Sequence, residues 1–459
     1  MNCGKCIGLS AAAIAVAGQG FAGSNVPSNQ VDARISALEQ EIASLKAEAG
    51  SNWLNDERAE EIRALVSEVM GDASNRTSLL AGGGHAGWDN GFYLSNDDGS
   101  FTLHVHGLAQ FRAMYNSRDG RDTDSGPSLD SSIFGFENSR TRLDFSGNLF
   151  GNDFTYRIQG DFWSDGGAFT LLDAWGRYQL NDNSGVGWGQ MKAPFLREEM
   201  MEEKYIQTVD RSYVHALTTA GYTQGVWLDY NNNENFRAWF AFTDGATVST
   251  TGVNTDGSNV PALAAGGNEF ALTARGEFLV AGSQGFDQFN DFASWSDDEY
   301  GTTIGGAVHW QKSEFGTAAM ETEVLGWTFD SQTELGGANI FASVTGLHAD
   351  PNGAGTPTLD QLGIVVQGGV FLQPDEFEIF GRWEYYDFDG AFGSSVDDEV
   401  NLFTIGANWY WEGHDKKWTT DVVFAGDTIP ASASNLGLLV DDTDQDGQFV
   451  VRSQVQFAF

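Results

Sequence analysis

Residues 140–150 read RTRLDFSGNLF, and residues 154–163 read FTYRIQGDFW. Side chains alternate between the two faces of a strand, so each stretch splits by parity. Thr141, Leu143, Phe145, Gly147 and Leu149 fall on one face, and Arg140, Arg142, Asp144, Ser146 and Asn148 on the other. In the second stretch Phe154, Tyr156, Ile158, Gly160 and Phe162 oppose Thr155, Arg157, Gln159 and Asp161. One face is apolar and the other is charged. A soluble sheet with one solvated face gives this alternation, and so does a barrel in lipid with a wet interior. An arginine facing lipid costs about 2–4 kcal/mol at the bilayer midplane, so in a barrel the charged set must point inward.

Extent decides between the two. From Trp88 onward the period is 2, and sixteen strands are expected near 100–115, 134–150, 153–164, 169–180, 185–193, 224–231, 235–243, 268–280, 302–312, 318–329, 336–348, 361–372, 376–388, 400–411, 416–427 and 447–459. Most are long enough to cross a membrane when tilted. Links after even-numbered strands are mostly tight, such as GN at 151–152, NNN at 232–234 and EGHD at 412–415. Several links after odd-numbered strands are long and polar, among them 194–223, 244–267 and 428–446. Short turns at one end and long loops at the other describe an outer-membrane barrel. The segment 281–301 breaks the pattern, being long for a turn on the short side, and 165–168 and 313–317 are short for outer loops. The last strand, FVVRSQVQFAF at 449–459, places Phe449, Val451, Val455, Phe457 and Phe459 on one face.

The expected fold is therefore all-β. It is a 16-stranded antiparallel transmembrane β-barrel over 88–459, preceded by a short α-helical, coiled-coil module over 23–87. The first 22 residues read as a secretory signal, with Lys5 before the apolar run IGLSAAAIAV at 7–16 and a small-residue cleavage site at Gly20–Ala22. No later stretch is apolar enough for a membrane helix. Cys3 and Cys6, the two cysteines, lie within that signal. In the arm, Val31, Ile35, Leu38, Ile42 and Leu45 form a seam of about two heptads, and a second helix is expected over 56–70. Two heptads are too short to be stable alone, so the arm needs an oligomer or a packing partner. A stalk that trimerises or touches the cell wall, and a helical plug or linker, both fit. The Gly-rich AGGGHAG at 81–87 is expected to end the arm. A formal net charge of -40 excludes the Lys/Arg footprint of nucleic-acid binding.

The block from Arg140 to Tyr230 resembles the phosphate-selective porin O and P family. The residues that carry the likeness are RTRLDFSGNLF, then LLDAWGRYQL (171–180), GQMKAPFLREE (189–199), DRS (210–212) and QGV (224–226). The resemblance implies a 16-stranded trimeric barrel in the bacterial outer membrane; the helical module lies outside the family's pattern, resembles the arm of porin-like proteins with an added coiled-coil stalk, and is expected in the periplasm. It also implies that Phe457 and the terminal Phe459 carry the signal read by barrel-assembly machinery. One departure matters. The family's phosphate selectivity is associated with arginines along the path and a cluster of lysines, and this chain has only seven lysines, with no cluster. Phosphate specificity is not carried over.

A porin of this size folds its third loop into the channel, and here that loop is 194–223. Within it Arg197, Lys204 and Arg211 face Glu198, Glu199, Glu202, Glu203 and Asp210, a net of -2. Acidic rings in a pore favour cations, so a weak cation preference is expected. The strand arginines Arg112, Arg140, Arg142, Arg157 and Arg177 are expected to line the wall opposite those acids and give a transverse field, with Lys192 a further pore-lining residue. A solvated outer loop is the alternative. His104 and His106 share a strand face but have no further ligand, so they read as polar lumen residues. Asp442, Asp444 and Asp446 match the first half of a calcium loop whose twelfth position is Ser453 instead of Glu. No hydrolase, zinc-protease or phosphate-loop motif is present, and no cofactor is expected. The favoured function is a water-filled channel for passive diffusion of small hydrophilic solutes or ions. The alternative is a structural protein tethering the membrane to the cell wall.

Overall fold

The computed structural model describes residues 36–44, 84–89, 91–118, 132–164, 167–245, 270–313, 322–351, 357–391, 398–430, 436–440 and 447–459. Contacts divide the chain into Met1–Gly82 and Gly83–Phe459. In the first unit residues 36–44 form a helix on which Leu38 and Ile42 are exposed. The remaining seam positions Val31, Ile35 and Leu45, the second expected helix and the signal lie outside the described residues.

The second unit begins with a hairpin, β1 (Gly84–Trp88) and β2 (Phe92–Asn96). Sixteen long strands follow: β3 (Thr102–Arg118), β4 (Ser132–Asn148), β5 (Phe154–Ser164), β6 (Ala168–Asn181), β7 (Ser184–Lys192), β8 (Tyr222–Asn231), β9 (Phe236–Thr243), β10 (Phe270–Ala281), β11 (Gly301–Ser313), β12 (Thr322–Glu334), β13 (Ala338–Pro351), β14 (Leu359–Gln373), β15 (Phe377–Asp387), β16 (Glu399–Glu412), β17 (Lys416–Ala425) and β18 (Gln448–Ala458). Each pairs antiparallel with the next, and β18 pairs with β3 to close the barrel. The hairpin corrects the expectation that 81–87 is only a Gly-rich break. β18 covers β3 only as far down as Leu108, and β2 takes over along Thr102–Val105. The hairpin thus caps an edge that the last strand leaves open.

Phe459 completes the seam. Its amide donates to the Gly107 carbonyl at 3.0 Å, and the Gly107 amide donates to the Phe459 carbonyl at 2.9 Å. Its ring lies over Gly107, where a Cβ would fall 2.3 Å from the nearest ring carbon. Only glycine leaves that space.

The apolar parity set faces outward on every part of the wall. Phe111, Phe145, Ile158, Phe240, Phe278, Val308, Ile405 and Phe424 are exposed. In water such a belt would be an aggregation surface; in lipid it is solvated. No helix among the described residues is long and apolar enough to cross a membrane. The inward set of β18 is buried, with Arg452 at 0% and Gln454 at 2% exposure.

The interior departs from a simple wet lumen. Met201, Ile206, Tyr213 and Val214, from the link between β7 and β8, pack on the inward residues Phe341, Val365, Tyr386, Leu402, Val423 and Val450. One half of the barrel, along β13–β18, therefore has a dry core. The long turn 282–300 folds inward as well. Its Phe292 packs at a tilt against Phe341 with ring centroids 4.8 Å apart, and its Trp295 meets Tyr410 at 5.1 Å.

Candidate functional site

The link 193–221 crosses the lumen. It contains α2 (Arg197–Met200), a 3₁₀ turn (Glu203–Tyr205) and α3 (Tyr213–Thr218), counting helix 36–44 as α1. REEM and EKY are the expected helical spacing, interrupted at Met201–Glu202. Ser212 caps α3 by accepting from the His215 amide at 2.9 Å. Glu198 holds that cap in turn, accepting from the Ser212 amide at 3.0 Å.

Ion pairs and backbone bonds fix the link to both walls. On the β3–β5 side, Asp210 receives Arg112 Nη1 at 2.9 Å and Arg140 Nη2 at 3.0 Å. Glu203 pairs with Arg142, with Lys192 at 3.1 Å and with Arg211 of its own link at 3.0 Å. Glu202 pairs with Arg157 at 2.7 Å. On the far side, Lys417 Nζ donates to the Ile206 carbonyl at 2.7 Å, and Arg382 Nη1 donates to the Asp210 carbonyl at 3.0 Å. The Val209 amide donates to Asp421 at 3.0 Å. Buried pairs of this kind are costly to break singly, since the remaining charge has no water.

Burial alone would raise the Glu203 carboxyl, but Arg142, Arg211 and Lys192 together hold it well below the usual carboxylate range. Glu202 is lowered too, burial being outweighed by Arg157 and Lys192. Asp210 is lowered against burial by Arg140, Arg112 and Arg452. All three acids therefore stay ionised and keep their partners.

Two open cavities border the link, lined mainly by the β3–β9 wall, and the larger also reaches the β16–β17 turn and the end of β18. One, of about 230 Å³, lies between Arg157, Asp173, Lys192, Trp175, Trp227 and Trp239 of the wall and Met200, Glu202 and Glu203 of the link. The other, of about 600 Å³, reaches His106, His414 and Asp415 near the short-turn end. They share Arg157, Gln159, Trp175, Glu202 and Glu203, so the Arg157–Glu202 pair stands at their junction.

Of the sequence-expected residues, Arg142, Arg157, Lys192, Glu202 and Glu203 line these cavities. Arg112, Arg140, Asp210 and Arg211 sit in buried pairs that anchor the link. Arg197 is buried against Glu277 at 3.6 Å, and Glu199 is bonded to His215, so neither reaches the open side. Arg177 lies apart from the link, paired with Asp229 at 2.6 Å. Asp144, Asp173, Gln159 and the three tryptophans also belong to the lining; strand parity marks Asp144, Gln159 and Asp173, with Trp175 beside it, as inward, and nothing in the sequence grouped them with the loop. His104 and His106 stack with centroids 6.1 Å apart. No group of three or more His, Cys, Asp or Glu side chains among the described residues is placed to hold a metal. Asp442, Asp444 and Asp446 lie outside the described residues.

The profile of the phosphate-selective porin O and P family matches residues 110–459, well over half of the chain. The chain belongs to this family. It is an outer-membrane porin, a channel for passive diffusion, and the tethering alternative is not favoured. Among solved structures, the anion-selective porin from Comamonas acidovorans is 11% identical, with TM-score 0.53, over 78% of this porin and 99% of that chain. The outer membrane channel DcaP of Acinetobacter baumannii is 14% identical, with TM-score 0.49, over 77% of this porin and 97% of that chain. At these identities the first likeness speaks to the fold alone. No curated protein sequence matches the chain.

Proposed function

We propose that the 193–221 link is the constriction of this porin, and that solutes pass between it and the β3–β9 wall. The observation that carries this reading is the asymmetry of the lumen. The link packs through an apolar cluster against β13–β18, while the open cavities beside it are lined mainly by β3–β9, the larger also touching the β16–β17 turn and the end of β18. The lining of those cavities holds the cations Arg142, Arg157, Lys192 and Lys204. Against them stand Asp144, Asp173, Glu202, Glu203, Glu412 and Asp415. Four against six gives a net of -2 with the histidines neutral, which supports a weak cation preference. Phosphate preference has no support from this lining, since its cations are all met by carboxylates. The solved relative described as anion-selective would then differ from this porin in its charge balance, not in its fold.

The finer readings belong with this one. The barrel assembles as a homotrimer. The helical arm lies in the periplasm, with its exposed Leu38 and Ile42 seeking a partner there, another arm or the cell wall. Phe457 and Phe459 carry the signal for barrel-assembly machinery. The test is single-channel recording in a planar bilayer under a potassium chloride gradient. A reversal potential of the sign set by cation flow supports the constriction; an anion-selective reversal contradicts it. Deleting residues 23–82, which spares the β1–β2 hairpin, should leave conductance unchanged while altering any attachment to the cell wall.

A further inference from the structure

An inward patch of tryptophan is out of place in a charged lumen, since porin interiors are polar and their aromatics sit at the membrane interfaces. Here Trp175 and Trp227 meet edge to face with centroids 6.0 Å apart, and Trp239 packs beside them on Met191 and Ala241. Trp227 can lie flat because Gly187 stands beneath it; a Cβ there would fall 2.0 Å from the ring. Trp227 is buried, but Trp175 and Trp239 stay partly exposed on the cavity wall. Packing alone would have buried all three.

The polar groups facing these indoles are already paired. Arg157 Nε donates to Asp144 at 2.7 Å and its guanidinium meets Glu202 at 2.7 Å, while Lys192 meets Glu203 at 3.1 Å. An organic cation would need a free carboxylate, and an organic anion a free Arg or Lys. No free Arg or Lys is offered, and the one loosely held carboxylate, Asp173, already lies 3.9 Å from Arg157. What the wall does offer is an apolar flat face beside fixed donors and acceptors. The Tyr222 hydroxyl, at the same cavity, has no partner in the protein.

From this we propose that the Trp175–Trp239 wall is a subsite for a neutral saccharide ring in transit. The C–H face of a pyranose would cover the indoles, and its hydroxyl edge would bond to the Arg157, Lys192 and Glu202 heads. The second cavity shares Trp175 and Glu202, so a second ring can follow the first. This inference rests on the constriction proposed above, because the link supplies one side of the subsite.

The experiment uses the full-length folded protein with maltose as probe, and potassium phosphate and choline chloride as ionic comparators. Two readings are taken: saturable reduction of single-channel current, and titration of tryptophan fluorescence in detergent. Maltose should reduce the current saturably, and Trp175→Ala should weaken its half-saturation by about tenfold. Trp239→Phe, which keeps a ring, should weaken it less, and Trp418→Phe on the outer surface should not change it. Open channels that maltose does not block, or that choline or phosphate blocks saturably instead, overturn the subsite and leave the porin intact. Maltose block that is equal in Trp175→Ala overturns it too. If folded protein fails to conduct, the channel reading falls. Fluorescence then decides alone: a saturable maltose response lost in Trp175→Ala upholds the subsite, and its absence overturns it.

Discussion

Asp210 joins two arginines of the wall to the link, and it is 2% exposed. Asp210→Ala would leave Arg112 and Arg140 without their shared acid. Breaking a buried pair costs about 3–5 kcal/mol. Arg112 keeps Glu137 and Arg140 keeps Gln110, so the low end is expected. The variant should therefore unfold at lower temperature and show noisier, larger single-channel currents. The acids of the link also set its pH response. Glu203 and Glu202 are depressed in the folded state, so their stabilisation is complete above the ordinary carboxylate value of 4.5 and is lost only as pH falls through the lower folded values. The link should therefore stay anchored from neutral pH down to about pH 5, with its loosening confined to stronger acid. Thermal unfolding followed against pH checks this; a drop in melting temperature between pH 7 and 5 would contradict it. Among individual residues, sequence parity found the inward arginines readily, because lipid forbids them the other face. It could not say which of them would be spent on anchoring the link and which would face solute.

At the scale of elements, the outer face was legible and the inner face only partly so. The lipid side accepts one kind of residue, so β4, β5 and β18 alternate cleanly. The inner side accepts either water or a packed loop, and the choice depends on contacts distant in sequence. Where the link packs dry, the strands lose alternation: Leu402 is buried and Phe403 exposed in β16, and Val423 buried beside exposed Phe424 in β17. Such doubly apolar runs were the available signal for an inner core. The overlong segment 281–301 was legible as an exception, and its inward fold beneath the link is the reason for its length. Asp298 in that segment accepts from the Trp295 amide at 2.5 Å. Burial, with Asp291, Asp297 and Asp375 nearby, raises it to about 6. A raised carboxyl favours the folded state when protonated, so stability falls as pH rises from the ordinary 3.8 through about 6. Asp298→Asn should accordingly raise the melting temperature at pH 7.5 and leave it unchanged at pH 4. Solvent screening limits the gain to about 1 kcal/mol or less. Shortening the link by removing residues 197–218 should enlarge unit conductance several-fold, because those residues make the bonds that span from the β3–β5 wall to the far wall.

For the whole molecule, the barrel supplies a lipid-facing cylinder, and the link divides its interior into a packed half and an open half. Strand count, sidedness and family were all within reach of the sequence, since each repeats many times along the chain. The division of the lumen was not, because it rests on a single crossing. That division is the central claim, and substituted-cysteine accessibility tests it most directly. With Cys3 and Cys6 replaced, a cysteine is placed at Glu202 on the open side or at Val214 in the dry core, and a charged thiol reagent is added during single-channel recording. Modification of Glu202→Cys should lower the current in discrete steps, while Val214→Cys should not respond. Block at Val214→Cys, with Glu202→Cys insensitive, would place the passage on the other side of the link and contradict the account.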